Sequence, residues 1–266
     1  MLSRMLAHPA TRQLNIDDPR VTEVRREIVR SKRFLRLIYE EWYGEVQRHL
    51  PAVTGRVLEI GSGAGFLGEV IPGLVTSEVF PCRGIDVAFD ARQLPFSDSV
   101  LRAIVMTDVF HHIPDVRLFL LEAQRTLRVG GRVLMVEPWK NAWCTLIYGK
   151  LHHEPFRPEA TEWSFPASGP LSGANGALPW IVFERDSEEL RKLVPGLALK
   201  SIRPFMPLRY LLSGGVSLRS LMPGWLHGAW RFIETAVPAI DRNLGMFAFI
   251  ELERESLEHA AAAGRN

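Results

Sequence analysis

The residue types best suited to chemistry in this chain are a run of alternating glycines, several carboxylates that follow apolar stretches, and two pairs of adjacent histidines. Gly61, Gly63 and Gly65 come directly after Val57-Leu58-Glu59-Ile60. Glycine lets the backbone turn tightly and approach a ligand closely, so this is a nucleotide-type loop. It departs from the Gly-x-Gly-x-x-Gly dinucleotide pattern, because position 66 is Phe and the third glycine arrives one residue early. Glu59, just ahead of the loop, suits a ligand carrying positive charge, such as an ammonium, better than a pyrophosphate. Glu78 stands close to the spacing of about 20 residues at which an acid meets ribose hydroxyls, and a carboxylate accepts two hydrogen bonds from a vicinal diol. Asp86 competes for that role; Glu78 is preferred because residues 85–88 fit better as a strand.

The histidines fall at His111-His112 and at His152-His153-Glu154. Imidazole, with an unperturbed pKa of about 6.5, is mostly neutral at cellular pH and is the usual proton acceptor there. His111, His112 and His153 are therefore candidate bases, each of which also reads as a packing or loop residue. A metal site drawn from His111, His112, His152, His153 and Glu154 is conceivable, but no His-x-x-x-His or similar helical spacing supports it, so none is expected.

These residues need a scaffold, and the apolar pattern supplies one. Strands are expected at residues 56–60, 74–79, 85–88, 102–107 and 132–137, the first leading through the glycines into a helix at 66–70 whose N-terminus favours polar groups. A helix after Pro114-Asp115 would turn Leu118, Leu121 (or Phe119) and Leu127 inward. This alternation predicts an open parallel sheet with helices on both faces. Ligands of such sheets bind beyond the carboxyl ends of the strands, and Glu59, Glu78, Asp90, Asp108 and Glu137 all fall at or near that edge. Residues 197–203 and 246–253 read as two last strands, an antiparallel pair completing the sheet.

Ahead of the sheet, Asp18-Pro19 is a helix start, and Val21, Val24, Ile28, Leu35, Ile38, Trp42 and Val46 form one apolar stripe of a helix or helix pair. Arg25, Arg26, Arg30, Lys32, Arg33 and Arg36 read as its solvated basic face. Residues 139–186 form a long, aromatic- and Gly-rich connection, with a helix start at Asp186. Residues 204–245 are dense in Leu, Trp, Met and Phe, broken into short pieces by Pro and Gly. They read as a buried cap, as a lid that forms an apolar acceptor pocket with 139–186 and the N-terminal helix, or as a membrane-surface foot. The division expected is a helical cap at 1–50, one domain at 51–254 with insertions at 139–186 and 204–245, and a frayed tail at 255–266.

Val57-Leu58-Glu59-Ile60-Gly61-x-Gly63-x-Gly65 resembles the first motif of class I S-adenosylmethionine-dependent methyltransferases. Asp90-Ala91-Arg92-Gln93-Leu94-Pro95-Phe96 is similar to the Asp-Ala-x-x-Leu-Pro-Phe run of the small-molecule, type 11 kind. The resemblance covers roughly residues 50–140 and implies a Rossmann-like, mostly parallel seven-stranded sheet. It implies S-adenosyl-L-methionine as cofactor, with Asp90 accepting from the adenine amino group. Glu59, Gly61, Ser62, Gly63, Gly65, Glu78, Asp90, Ala91 and Asp108 are the cofactor-binding residues it points to. The helix between the second and third strands is nearly absent here, and Ser99-Val100-Leu101 replaces the usual Ser-Phe-Asp.

Composition narrows the partners. The apolar fraction of 47%, charged fraction of 23% and net charge of +2 are those of an ordinary globular protein. With no basic stripe, and Val109-Phe110-His111 where amino-group methylases carry Asn-Pro-Pro-Tyr, nucleic acid is disfavoured. An O- or C-nucleophile on a small, apolar or lipid-linked acceptor is favoured. Two unpaired cysteines, no signal-length apolar core in residues 1–15 and no spanning run point to the cytoplasm, with peripheral membrane contact open. Two other readings stay open: a nicotinamide-dependent oxidoreductase on the same sheet, against which Glu59 and the missing Tyr-x-x-x-Lys pair count, and a non-catalytic cofactor-binding protein.

Overall fold

The computed structural model describes residues 18–151, 154–166, 169 and 173–256. Seven strands form one sheet in the order β3-β2-β1-β4-β5-β7-β6. They are β1 (Arg56–Ile60), β2 (Val75–Glu78), β3 (Val87–Ala88), β4 (Leu101–Thr107), β5 (Leu127–Pro138), β6 (Leu197–Phe205) and β7 (Phe247–Arg254). The first five are parallel, and β7 runs antiparallel between β5 and β6. The order reverses at β1 and β4, which opens a crevice at their carboxyl ends.

Side chains alternate across the strands, so each strand serves two cores. Val57, Val105, Val136 and Phe249 face a layer built by α1 (Pro19–Ser31) and α2 (Arg33–His49). Leu58, Ile104, Met135 and Ile250 face the opposite layer, with α3 (Val116–Thr126) and α5 (Ser187–Leu193). The Asp18 carboxylate caps α1 by accepting from the Arg20 N–H at 2.9 Å. Lys32 separates α1 from α2 and donates through Nζ to the carbonyls of Gly215 (2.5 Å) and Leu218 (2.8 Å).

Four expectations need correction. The helix at 66–70 is only a 3-10 turn, Leu67–Glu69. Pro72-Gly73 leaves too few residues for a nucleated α-helix, so the loop does not run on into an α-helix N-terminus. In α3 the buried residues are Val116, Phe119, Leu120 and Ala123, whereas Leu118 and Leu121 are exposed. The inward set follows steps of three and four from Val116, and the leucines lie off that stripe. Residues 139–186 are not one loop: α4 (Ala142–Leu151) opens them, and a helical turn, Leu178–Trp180, runs into a π-helical stretch, Ile181–Arg185. Residues 204–245 are only partly a buried cap. They form α6 (Arg209–Ser213), α7 (His227–Thr235) and α8 (Pro238–Leu244), with Leu221, Trp225, Phe232 and Ile233 exposed. Residues 257–266 of the expected tail lie outside the described residues.

Candidate active site

The glycine loop is enclosed by the protein's own side chains. Gly61 takes a left-handed φ of 70°. A Cβ there would run into Val109; one at Gly63 would meet the Glu78 carboxylate and Thr22, and one at Gly65 the Tyr43 hydroxyl. The glycines thus bring α1, α2, the end of β2 and the segment after β4 against one loop. Arg26 on α1 seals it by donating from Nε to the Gly63 carbonyl at 2.9 Å.

Glu78, at the end of β2, accepts from the Gly63 N–H at 2.9 Å and the Val79 N–H at 3.2 Å. Burial pushes its carboxyl above the usual range, against those N–H groups and the positive charges of Arg25 and Arg26. Asp86 instead bonds Thr76 through its N–H and hydroxyl, both at 2.8 Å, and is exposed. Glu59 is buried and pushed up to about 7 by that burial; the Ser62 hydroxyl opposes the shift and the Glu78 carboxylate adds to it. Ser62 itself is turned inward, its Oγ donating to the Glu59 carbonyl and accepting from the Ser77 N–H. Asp90 holds a turn, accepting from the Arg92 N–H at 2.9 Å and pairing with its guanidinium at 2.6 Å; Ala91 beside it is buried.

Asp108 ends β4 with φ 63°, an uncommon conformation for a side-chain-bearing residue and one that gathers at functional sites. Burial raises its carboxyl to about 7, although 31% of the side chain stays exposed. The turn it makes lays Val109 over Gly61 and drops His111 into the interior. His111 Nδ1 meets Glu137 Oε2 at 2.8 Å, while Glu137 Oε1 accepts the N–H groups of Val109 and Phe110, each at 2.8 Å. Burial works against a charge on His111, but the Glu137 and Glu154 carboxylates outweigh it and hold the ring well above its ordinary pKa. His112 moves the other way, to about 4, through burial and then the neighbouring His111 charge; its Nδ1 lies 3.1 Å from the Gly173 carbonyl. His153 lies outside the described residues.

A chamber opens beside Asp108, lined by Pro138, Tyr148, Glu154, Pro155, Phe156, Gly176, Tyr210 and Phe247. Tyr148 stacks on Phe156 and donates its hydroxyl to the Met246 carbonyl at 3.0 Å. Tyr210 stacks on Trp42 and meets Phe247 edge to face. Of residues 204–245 only Tyr210 reaches the chamber lining, and no residue of the N-terminal helices does, because α1 and α2 border the glycine loop instead. The sequence pointed to an apolar pocket between 139–186 and 204–245, the latter holding Tyr210, but did not single out Tyr148, Phe156 or Phe247, whose convergence has no local signal. It placed Glu137 at the rim without its role as the His111 partner.

Residues 75–135, from β2 into β5, match the methyltransferase-domain family. This stretch is part of a methyltransferase domain. It holds Glu78, the Asp90–Phe96 run, Asp108 and the histidine pair. Among solved structures, the geranyl diphosphate C-methyltransferase of Streptomyces coelicolor A3(2), in complex with Mg2+, geranyl diphosphate and S-adenosyl-L-homocysteine, is 15% identical. That match covers 94% of this chain and 91% of its own at a TM-score of 0.50. The YcgJ protein of Bacillus subtilis is 16% identical over 82% of this chain and 99% of its own, with a TM-score of 0.44. No curated protein matches the sequence. With the Streptomyces coelicolor structure the chain shares a fold. No helix among the described residues is long and apolar enough to cross a membrane.

Proposed function

We propose that this protein transfers a methyl group from S-adenosyl-L-methionine to an oxygen or carbon of a small acceptor that is largely apolar or carries a lipid-like tail. The observation that carries the reading is the acidic rim around the glycine loop. Glu59, Glu78 and Asp108 are each held above the ordinary carboxylate range by burial, a setting that a cationic ligand relieves. The bound cofactor would supply an electrophilic methyl on a sulfonium. In this reading Glu78 and the Gly63 backbone would meet the ribose, Asp90 and Ala91 the adenine, and Glu59 and Asp108 the cationic end. That the Streptomyces coelicolor enzyme, with the same fold, holds S-adenosyl-L-homocysteine supports this assignment.

Methyl displacement needs mainly alignment, and holding the acceptor atom against the methyl carbon supplies several kcal/mol of the barrier. The aromatic walls of Tyr148, Phe156, Tyr210 and Phe247 suit an apolar acceptor and exclude water. Where the attacking atom must lose a proton, His112, which burial keeps neutral, and Glu154 are the groups that would take it. The test is calorimetric titration with S-adenosylmethionine, S-adenosylhomocysteine and NAD, of which the first two should bind and the third should not. Loss of hydrogen bonds to a charged partner costs about 1.5–3 kcal/mol, so Glu78→Ala should weaken S-adenosylhomocysteine binding roughly 10- to 150-fold. Asp86→Ala should leave it unchanged. NAD binding, or a larger loss with Asp86→Ala, would overturn the assignment.

A further inference from the structure

We propose that His111, His112 and Glu154 form a site for a divalent transition-metal ion of the zinc class in the wall of the chamber. Their ligand atoms all lie within 4.8 Å of one another. His111 Nε2 is 3.5 Å from Glu154 Oε2, and His112 Nε2 is 3.8 Å from Glu154 Oε1. A tetrahedral ion with bonds of about 2.0–2.2 Å separates its ligand atoms by roughly 3.3–3.6 Å. Closing the cluster from its 4.8 Å span onto an ion therefore asks the widest pair of ligand atoms to draw together by up to about 1 Å.

The outer bonds of the two imidazoles point the same way. His112 Nδ1 faces the Gly173 carbonyl, which only accepts, so this nitrogen carries the proton and leaves Nε2 with a bare lone pair. His111 Nδ1 is engaged by Glu137, whose carboxylate is itself fixed by two backbone N–H groups. Metal-binding histidines are ordinarily oriented in this way, one ring nitrogen to a carboxylate or carbonyl and the other to the ion. His111 Nε2 is buried, makes no well-formed hydrogen bond, and has Glu154 Oε2 at 3.5 Å as its facing group, so this nitrogen is turned into the cluster and tied to nothing outside it.

Three protein ligands with a remaining position are the composition of a reactive rather than a structural zinc site. Glu154 lines the chamber, and Asp108 Oδ1 stands 4.0 Å from His111 Nε2. The remaining position would thus face the chamber and take a water or an acceptor oxygen. Neighbouring histidines form no sequence motif, and the third ligand arrives from another segment. That segment is held by the Gly176 N–H to the Pro155 carbonyl (2.9 Å) and the Asn175 N–H to the His111 carbonyl (3.0 Å).

The site goes beyond the proposed methyl transfer and is tested apart from it. Tag-free, chelator-treated full-length protein is titrated with Co2+ by absorption and with Zn2+ by calorimetry. One equivalent should bind, with the intense visible bands of four-coordinate Co2+. Outer partners of metal ligands are worth about 10- to 100-fold in affinity, so loss of a direct ligand in His112→Ala or Glu154→Gln should weaken binding by about 100-fold or more. Circular dichroism verifies that these variants are folded; His111→Ala is avoided because it leaves Glu137 buried without its partner. Absence of saturable Co2+ and Zn2+ binding in the wild type would overturn the site and leave His111 clasped between two carboxylates. Binding retained in both variants would overturn it equally. S-adenosylhomocysteine binding by the metal-free protein, measured alongside, separates either failure from failure of the methyltransferase reading.

Discussion

Glu59 sits at the penultimate position of β1, 3% exposed, faced by Glu78 from β2 and by Tyr39 and Tyr43 from α2. Its carboxyl ionises near 4.5 when the chain is unfolded and is pushed up to about 7 by burial in the fold. Between those values the unfolded chain has lost a proton that the folded one keeps, so stability falls as pH rises through this window. Below about 4.5 the penalty is absent, and above about 7 it is complete, at about 3 kcal/mol. Glu59→Gln removes the ionisation. The stability of the variant relative to the wild type, from denaturant unfolding without ligand, should rise between pH 4 and pH 8. A difference that stays flat across that range would show that Glu59 ionises normally in the fold.

The segment between β6 and β7 is tied to the rest of the molecule by buried charge. Arg209, on α6, is 2% exposed and pairs with Glu234 of α7 and with Glu41 of α2 at 2.6 Å. Glu234 also accepts the N–H groups of Leu208 (2.8 Å) and Arg209 (2.7 Å). Buried pairs add little over a hydrophobic replacement, but removing one partner strands the other at about 3–5 kcal/mol. Glu234→Ala should therefore lower Tm by roughly 10 °C, read by thermal circular dichroism. It should also loosen Tyr210, which adjoins Arg209 and lines the chamber. An unchanged Tm would mean that this cluster does not hold the segment.

At the scale of the molecule, the same segment leaves a run of large apolar side chains exposed among the described residues. Trp225 (78% exposed), Phe232 (73%), Ile233, Val237, Ile240 and Leu244 follow one another at mostly three- to five-residue steps, and Arg219, Arg231 and Arg242 are also exposed. Exposed aromatics with basic neighbours fit an interfacial foot on an anionic bilayer, which would bring a lipid-tailed acceptor to the chamber edge where Tyr210 lies. Full-length protein should co-sediment with vesicles containing phosphatidylserine, and less so at high salt. An aromatic side chain withdrawn from water is worth about 1.5–3 kcal/mol, so the double variant W225E/F232E should lower partitioning at least about tenfold. Equal sedimentation of wild type and variant would rule out this face as the foot.

The strand cores, the glycine loop and the acids at strand ends were legible in the chain because they are local: short continuous apolar runs, alternating glycines, and a carboxylate where most runs stop. The sheet then followed from ordering rules, down to the antiparallel last strand. The expected helix at 66–70 failed for an equally local reason, the Pro72-Gly73 stop. Other features depend on residues far apart in sequence. Arg26 closing on Gly63, Glu137 holding His111, Glu154 meeting both histidines, and Tyr148 with Tyr210 walling the chamber are pairings that no spacing encodes. The same holds for burial, which alone separates Glu59, pushed up to about 7, from the solvent-facing Asp86, held below its ordinary range by its bonds to Thr76. Sequence determined which residue types stand at the rim; tertiary structure decided which of them touch and which lose their water, because both follow from elements that meet only when the sheet and its two helical layers close.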